Sequence, residues 1–323
     1  MKSIEELREL YENKLKPNLE TLESQRKSLK KKYVLIIVVF IATGLIFFIG
    51  NNQPSLSFLY YFIPVGVIAF VYLIYKAGLA QNIYRNEFKE NVVRAIVKLI
   101  DSTWDYDPYG HISHEQYRTS KIFTRGVDRY NGDDLVTGVI EKTDFRLSEL
   151  HSEYKTQTTD KNGHTRTTWH TIFKGLFAHI DFNKEIKGET LVLPDTAEKW
   201  FGSFGKKLQS MSGRGKLIKL ENVEFEKLFV VYGSDQIEAR YILTPSIMEA
   251  MVTIVRKYNK NVFFSFIGSR VYFAIGFKED LFEPRIFKSG LRFEDMQKMN
   301  EQFSIIQTII HEMNLNTRIW TKD

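Results

Sequence analysis

The chain contains no cysteine. That excludes disulfides, thiolate zinc sites and cysteine nucleophiles, and it fits a reducing compartment. Charge is missing from one long stretch: between Tyr33 and Tyr75 there is no Asp, Glu, Lys or Arg. Complete catalytic motifs are missing as well. There is no G-x-S-x-G elbow, and His114-Glu115 and His311-Glu312 both lack the second histidine of a zinc-protease helix. Gly202-Ser203-Phe204-Gly205-Lys206-Lys207 lacks the four-residue gap of a phosphate loop, and no Ser or Thr follows the lysine to hold Mg²⁺. Internal repeats and low-complexity tracts are absent too. No cofactor, metal or catalytic residue is therefore assigned from the sequence.

The uncharged stretch is what the chain has in place of motifs. A helix rises about 1.5 Å per residue, so about 20 apolar residues cross a bilayer core of roughly 30 Å. The run from Tyr33 to Tyr75 is about twice that length. The polar island Gly50-Asn51-Asn52-Gln53-Pro54-Ser55 divides it with turn residues. The pattern predicts a transmembrane helix over 33–50, an external turn over 51–55 and a second transmembrane helix over 56–75, kinked at Pro64. Tyr60, Tyr61, Tyr72 and Tyr75 suit the bilayer interfaces. Residues 26–32 read RKSLKKK, and Lys76, Arg85 and Lys89 follow the second span. Basic flanks mark the cytoplasmic side, so both termini are expected there, in a multi-pass cytoplasmic membrane protein.

Net charge is +6, and its distribution separates classes of partner. Residues 1–32 hold nine basic and six acidic side chains; the rest of the chain holds 36 and 33. The balanced remainder is not a nucleic-acid footprint, so no nucleic acid is expected. The concentrated positive charge lies beside the spans, where anionic lipid attracts it. Arg26, Lys27, Lys30, Lys31 and Lys32 are the candidate membrane-surface contacts.

Residues 1–32 predict an amphipathic helix with Ile4, Leu7, Tyr11, Leu15, Leu19 and Leu22 on one face and a break at Pro17. A connecting helix is expected over 76–100, with Phe88, Val92, Ile96 and Leu99 inward. Residues 101–323 predict an α+β domain with a mainly antiparallel sheet and several helices. A short helix is expected over 114–122. Asn162-Gly163 marks a hairpin between strands spanning about 144–180. ETLVLP, LIKLE, FVVYG and EARYILT read as strands, and NVFFSF and RVYFAIG read as a second hairpin. Helices are expected over 195–209, after Thr244-Pro245, and over 293–313, before the closing NLNTRIW.

Within this domain the polar candidates are few. Asp235, Glu238 and Arg240 are close enough for an ion-pair cluster at a turn into a strand, which reads more readily as structural than as a catalytic carboxylate pair. His111 and His114 have helical spacing for a shared metal, but no further ligand is identifiable. His151, His164, His170 and His179 read as ordinary strand or hairpin histidines, and Ser212-Gly213-Arg214-Gly215-Lys216 as a solvated basic turn.

Several longer motifs point together. DRYNGDDLVTG, TDFRLSEL, TIFKGLFAHIDFNK, TLVLPDTAEKWFG, VEFEKLFVVYGSDQIEARYILTPSIME and NLNTRIW resemble, in order and spacing, a bacterial membrane-protein family known as domain of unknown function 3137. The resemblance runs from about residue 95 to 323, and the two spans ahead of it fit. It implies a membrane-anchored cytosolic domain and no assigned activity or catalytic residue. It also points to LemA-type membrane proteins as partners, beside the bilayer itself and self-association. The leading expectation is an interaction module that binds a protein or a lipid headgroup at the cytoplasmic face. The alternative is a membrane-tethered hydrolase or transferase whose site is assembled from distant residues.

Overall fold

The structure, a computed structural model, describes residues 4–195, 215–289, 292–313 and 315. The chain divides into two compact units. Of the described residues, one gathers those up to 99 with those between 282 and 300; the other gathers those between 100 and 281 with those from 301 on.

The first unit is helical. Helix α1 (Ile4–Leu10) passes through a π turn at Tyr11–Leu15 into α2 (Lys16–Asn52). The expected break at Pro17 does not occur: the helix runs on through the π turn directly before it, where the Lys16 amide reaches back to the Tyr11 carbonyl and the wider turn accommodates a residue without an N–H. Leu7, Leu15, Leu19, Leu22 and Leu29 are buried, while Ile4 stays exposed. At the far end α2 stops at Asn52, and Gln53 is extended (φ −129°, ψ 97°). A 3₁₀ segment, Pro54–Phe62, leads into α3 (Ile63–Phe88), which passes through a second π turn, Lys89–Val93, into α4 (Arg94–Ile100). Pro64 does not kink a helix interior as expected. It falls in the first turn of α3, where the 3₁₀ segment gives way to the α-helix.

Helices α2 and α3 pair antiparallel. Phe40 packs on Phe70 with ring centroids 5.6 Å apart, and Phe47 on Tyr60 at 6.2 Å. Between those contacts Gly66 faces Thr43 so closely that a Cβ would collide with the threonine hydroxyl. That hydroxyl is turned inward along its own helix, donating to the Val39 carbonyl at 2.8 Å. The stretches Leu19–Asn52 and Pro54–Ile100 are each long and apolar enough to cross a membrane.

The second unit is built on an antiparallel sheet of seven strands. The strands are β1 (Asp105–Asp107), β2 (Arg129–Ile140), β3 (Thr143–Thr159), β4 (Thr165–Pro194), β5 (Lys216–Ile218), β6 (Phe229–Gly233) and β7 (Val262–Gly276). Strand β4 organises them. One of its edges is lined by β7 from Gly175 to Val192. The other is shared, by β3 up to Ile180 and by β6 from Thr190 onward. Leu176 and Phe177 are neighbours on β4 and so face opposite sides, yet both are fully buried. The sheet centre is therefore covered on both faces. One of those cores joins Phe173 and Phe177 to Phe263 and Tyr272 of β7 and to Tyr117, Ile122 and Phe123, beside α5 (His114–Thr119).

Two strand expectations are corrected here. NVFFSF and RVYFAIG form one strand, not a hairpin. Gly268 adopts φ +60°, but it bends β7 where β4 carries extra residues between Asp181 and Glu189, and the pairing resumes beyond the bulge. EARYILT is not a strand. Short helices α6 (Val223–Glu226) and α7 (Gln236–Ile242) flank β6, and Asp235 caps α7. Helix α8 (Pro245–Tyr258) starts at the expected Thr244 cap, with Ile247, Met248, Met251 and Val252 buried. The last expected helix is interrupted at Ser304, giving α9 (Phe293–Phe303) and α10 (Ile305–Glu312). Lys257 and Tyr258 of α8 both donate to Thr308 Oγ1 of α10, at 3.2 and 3.3 Å. The expected helix over 195–209 and nearly all of NLNTRIW lie outside the described residues.

Candidate functional site

The basic cluster lies on α2, just before its uncharged stretch. Lys27, Lys30 and Lys31 are exposed and Lys32 is half-buried, all available to an anionic surface. Arg26 is different. Its guanidinium grips Glu23 through two bonds, Nη2 to Oε1 at 2.6 Å and Nε to Oε2 at 2.8 Å, and Nη1 donates to the Ile286 carbonyl at 2.8 Å. The side chain is 8% exposed, so Arg26 is a structural clasp and not the lipid contact the sequence suggested. That hydrogen-bonded pairing with Arg26 holds Glu23 below the usual carboxylate range.

Asp235, Glu238 and Arg240 come together at the start of α7, but not as an ion-pair cluster. Asp235 Oδ1 accepts the Ile237 amide at 2.7 Å and the Glu238 amide at 3.3 Å. Glu238 reaches across to the bulge in β4, where its carboxylate accepts the Lys187 amide at 2.8 Å and the Gly188 amide at 2.7 Å. Ser234 Oγ takes the next amide, Glu189, also at 2.8 Å. A Cβ at Gly188 would lie 2.5 Å from Glu238 Oε2, so glycine is what lets the carboxylate close on the backbone. Both acids thus satisfy backbone donors that the bulge and the helix start leave without strand or helix partners. Arg240 is exposed.

The Asn162-Gly163 hairpin is present. Gly163 adopts φ +84°, and Asp160 Oδ1 accepts the amides of Asn162 and His164, each at 2.9 Å. Beyond Glu153 and Thr171, β3 and β4 pair, among the described residues, only with each other, from Tyr154↔His170 to Thr159↔Thr165. This two-stranded arm has cation–aromatic stacks at its base. The Arg125 guanidinium lies 3.3 Å from the Tyr154 ring centroid, and Tyr154 stacks on His170 at 4.8 Å. Arg129 lies 3.8 Å from the Trp169 ring centroid and pairs with Glu153 at 3.1 Å. Trp169 remains 38% exposed. A partly exposed Trp beside an Arg is the kind of pair that dominates protein interfaces. Among the other histidines, His111 precedes α5 and His114 opens it, so the two do not share a helix face. Both rings pack against Tyr130 instead, at 5.8 and 5.0 Å.

Two buried titratable groups stand out beyond the sequence reading, which did not single out Glu149 and took His179 for an ordinary strand histidine. Glu149 on β3 is pushed up to about 8, chiefly by burial; the Leu281 amide, donating at 3.0 Å, works against the shift, and Asp133, Asp134 and Asp280 add to it. Glu149 is therefore protonated at neutral pH. Its parity was legible, since it continues the inward positions of Phe145 and Leu147. His179 on β4 is brought down to about 4, first by burial and then by Arg270 and Arg146. It lies between Arg146 of β3 and Tyr272 of β7 in register, and neither ring nitrogen has a hydrogen-bond partner among the described residues.

Residues 171–315 match the family described as Protein of unknown function (DUF3137), which places the resemblance read from the sequence on the centre of the sheet unit and the helices after it. No curated protein and no solved structure matches the chain.

Proposed function

We propose that this chain is a membrane-anchored interaction module. Helices α2 and α3 form a bilayer hairpin, with the turn at Gln53 outside and both termini in the cytoplasm. The sheet unit is held at the cytoplasmic face of a bacterial cytoplasmic membrane, where it binds a protein partner or a lipid headgroup. One observation carries the reading. Two helices that pack closely at Gly66 and Thr43 leave Phe40, Phe48, Val65, Ile68 and Val71 each at least 60% exposed. Exposed apolar surface of that extent has lipid as its natural cover. The lysines at 27, 30, 31 and 32 supply the basic flank expected on the cytoplasmic side.

The arm of β3 and β4 is the recognition element best suited to a protein partner, a membrane protein of the LemA type or a second copy of the chain. The enzyme alternative has less support. Asp235 and Glu238 are occupied with backbone amides, and the clefts around Phe225, Asn259 and Ser24 contain neither Glu149 nor His179.

The test is a mild-detergent pull-down of the tagged full-length protein from its native membrane, followed by mass spectrometry. A stoichiometric partner that is lost when residues 157–166 are deleted supports the module and locates its face. Recovery of the protein in the soluble fraction, without detergent, overturns the anchor.

A further inference from the structure

The segment Phe282–Ser289, reading FEPRIFKS, is fastened to the helical pair at successive points. Phe282 is fully buried. Glu283 Oε1 lies 2.8 Å from Arg85 Nε, in the last turn of α3, and 3.0 Å from Lys89 Nζ, at the start of the π turn that follows. The Ile286 carbonyl takes the Arg26 guanidinium, which Glu23 in turn holds from behind. Two anchors in four residues, Glu283 and Ile286, leave the next side chain little choice of place. That side chain is Phe287, which is 62% exposed.

Its exposure is informative because of its level along α2. The Phe287 ring centroid is 5.9 Å from that of Tyr33, and Tyr33 is the first residue of the uncharged stretch. The Tyr33 hydroxyl also donates to Gln81 Oε1 of α3 at 2.5 Å, so the ring's position is fixed on both helices. Lys30, Lys31 and Lys32 lie within roughly 5 Å of Tyr33 along the axis at the rise of an α-helix. Phe287 thus stands where the basic collar ends and the apolar surface begins. Lys288 beside it is exposed. An aromatic ring flanked by lysine at that level matches the boundary between headgroups and acyl chains.

We propose that Phe282–Ser289 is a membrane-docking strap, with Phe287 inserted beside Tyr33 into the interfacial layer of an anionic bilayer and Lys288 joining Lys30–Lys32 at the phosphates. The strap extends the anchor reading, on which it rests: a segment distant in sequence from the spans adds a second grip on the same leaflet.

The absence of cysteine permits a direct test on the full-length chain. Single-cysteine variants F287C, K288C, F40C and E12C are labelled with a polarity-sensitive fluorophore in nanodiscs of mixed zwitterionic and anionic phospholipid. Lipids carrying a spin label high on the acyl chain serve as quencher. F40C reports the span. E12C, 21 residues before Tyr33, reports water. The expected result is quenching at position 287 about two-fold or more above that at position 12, with position 288 in between. Quenching at 40 with none at 287 or 288 overturns the strap and leaves the anchor standing. Absence of quenching at 40 overturns both. A blue-shifted but unquenched probe at 287 means that protein, such as a second copy, covers the residue, and also overturns the strap. K288C keeps the reading falsifiable if F287C folds poorly.

Discussion

Glu238 Oε2 accepts the backbone amide of Gly188 at 2.7 Å, across 50 residues of sequence. The same carboxylate holds the neighbouring Lys187 amide, so one side chain closes the bulge that interrupts β4 between its two sets of partners. Removing it leaves two amides without that partner. Glu238→Ala is expected to cost about 1–3 kcal/mol and Gly188→Ala a comparable amount, since the added Cβ pushes the carboxylate away. Hydrogen exchange of the full-length protein checks this. Faster exchange confined to residues 185–190 and α7 is the expected pattern, and unchanged exchange in the bulge contradicts the clamp.

Glu149 makes stability depend on pH. Its carboxyl is raised to about 8 in the fold, against an ordinary value near 4.5 in the unfolded chain. Between those values the folded state binds the extra proton, so stability is full below the lower one and declines as pH rises through the upper one. Glu149→Gln keeps an oxygen for the Leu281 amide without the titration. The variant is expected to match the parent at pH 5 and to exceed it at pH 9 by on the order of a few kcal/mol. Thermal unfolding in detergent at the two pH values measures the difference; equal gains at both contradict a titrating group.

His179 acts on the opposite flank. Burial and two arginines bring it to about 4, below its ordinary value of 6.5. The unfolded chain takes up the proton first, so stability is present above the higher value and is lost as pH falls through the lower one. His179→Phe removes the titration together with two ring nitrogens that have no partner among the described residues. It is expected to stabilise the fold by about 1–2 kcal/mol near neutral pH, where the wild-type ring is already neutral but unsatisfied. Its advantage should widen below pH 6. A variant less stable at neutral pH would show that the ring makes contacts a phenyl cannot replace.

What the sequence revealed follows from which forces are local. The apolar run and its turn were legible because length and the absence of charge depend on no partner. The Asn162-Gly163 hairpin and the Thr244 cap were legible because turn and cap chemistry operate within a few residues. The errors came where distant contacts decide. EARYILT has strand composition, yet Asp235 caps it into a helix whose Glu238 is needed 50 residues away at the β4 bulge. Ile267-Gly268-Ser269 has turn composition, but β4 supplies the facing residues that keep β7 one strand. Arg26 looked like its basic neighbours until the Ile286 carbonyl, 260 residues on, claimed it.

Gly66 and Gly44 separate helix packing from helix propensity. A Cβ at Gly66 would strike the Thr43 side chain, whereas one at Gly44 meets nothing within 4 Å. Both glycines lie within the apolar stretches, so a leucine at either raises apolarity and helix propensity alike. Gly66→Leu must in addition part α2 from α3 or force Thr43 from its rotamer, at about 1–3 kcal/mol. The expected outcome is a lowered unfolding temperature for Gly66→Leu, with Gly44→Leu unchanged or slightly raised. The Gly66→Leu, Thr43→Ala double variant recovers part of the loss, because removing the hydroxyl and methyl opens the space the leucine needs. Equal effects at the two glycines would mean that the hairpin is held by its surroundings and not by its own close approach.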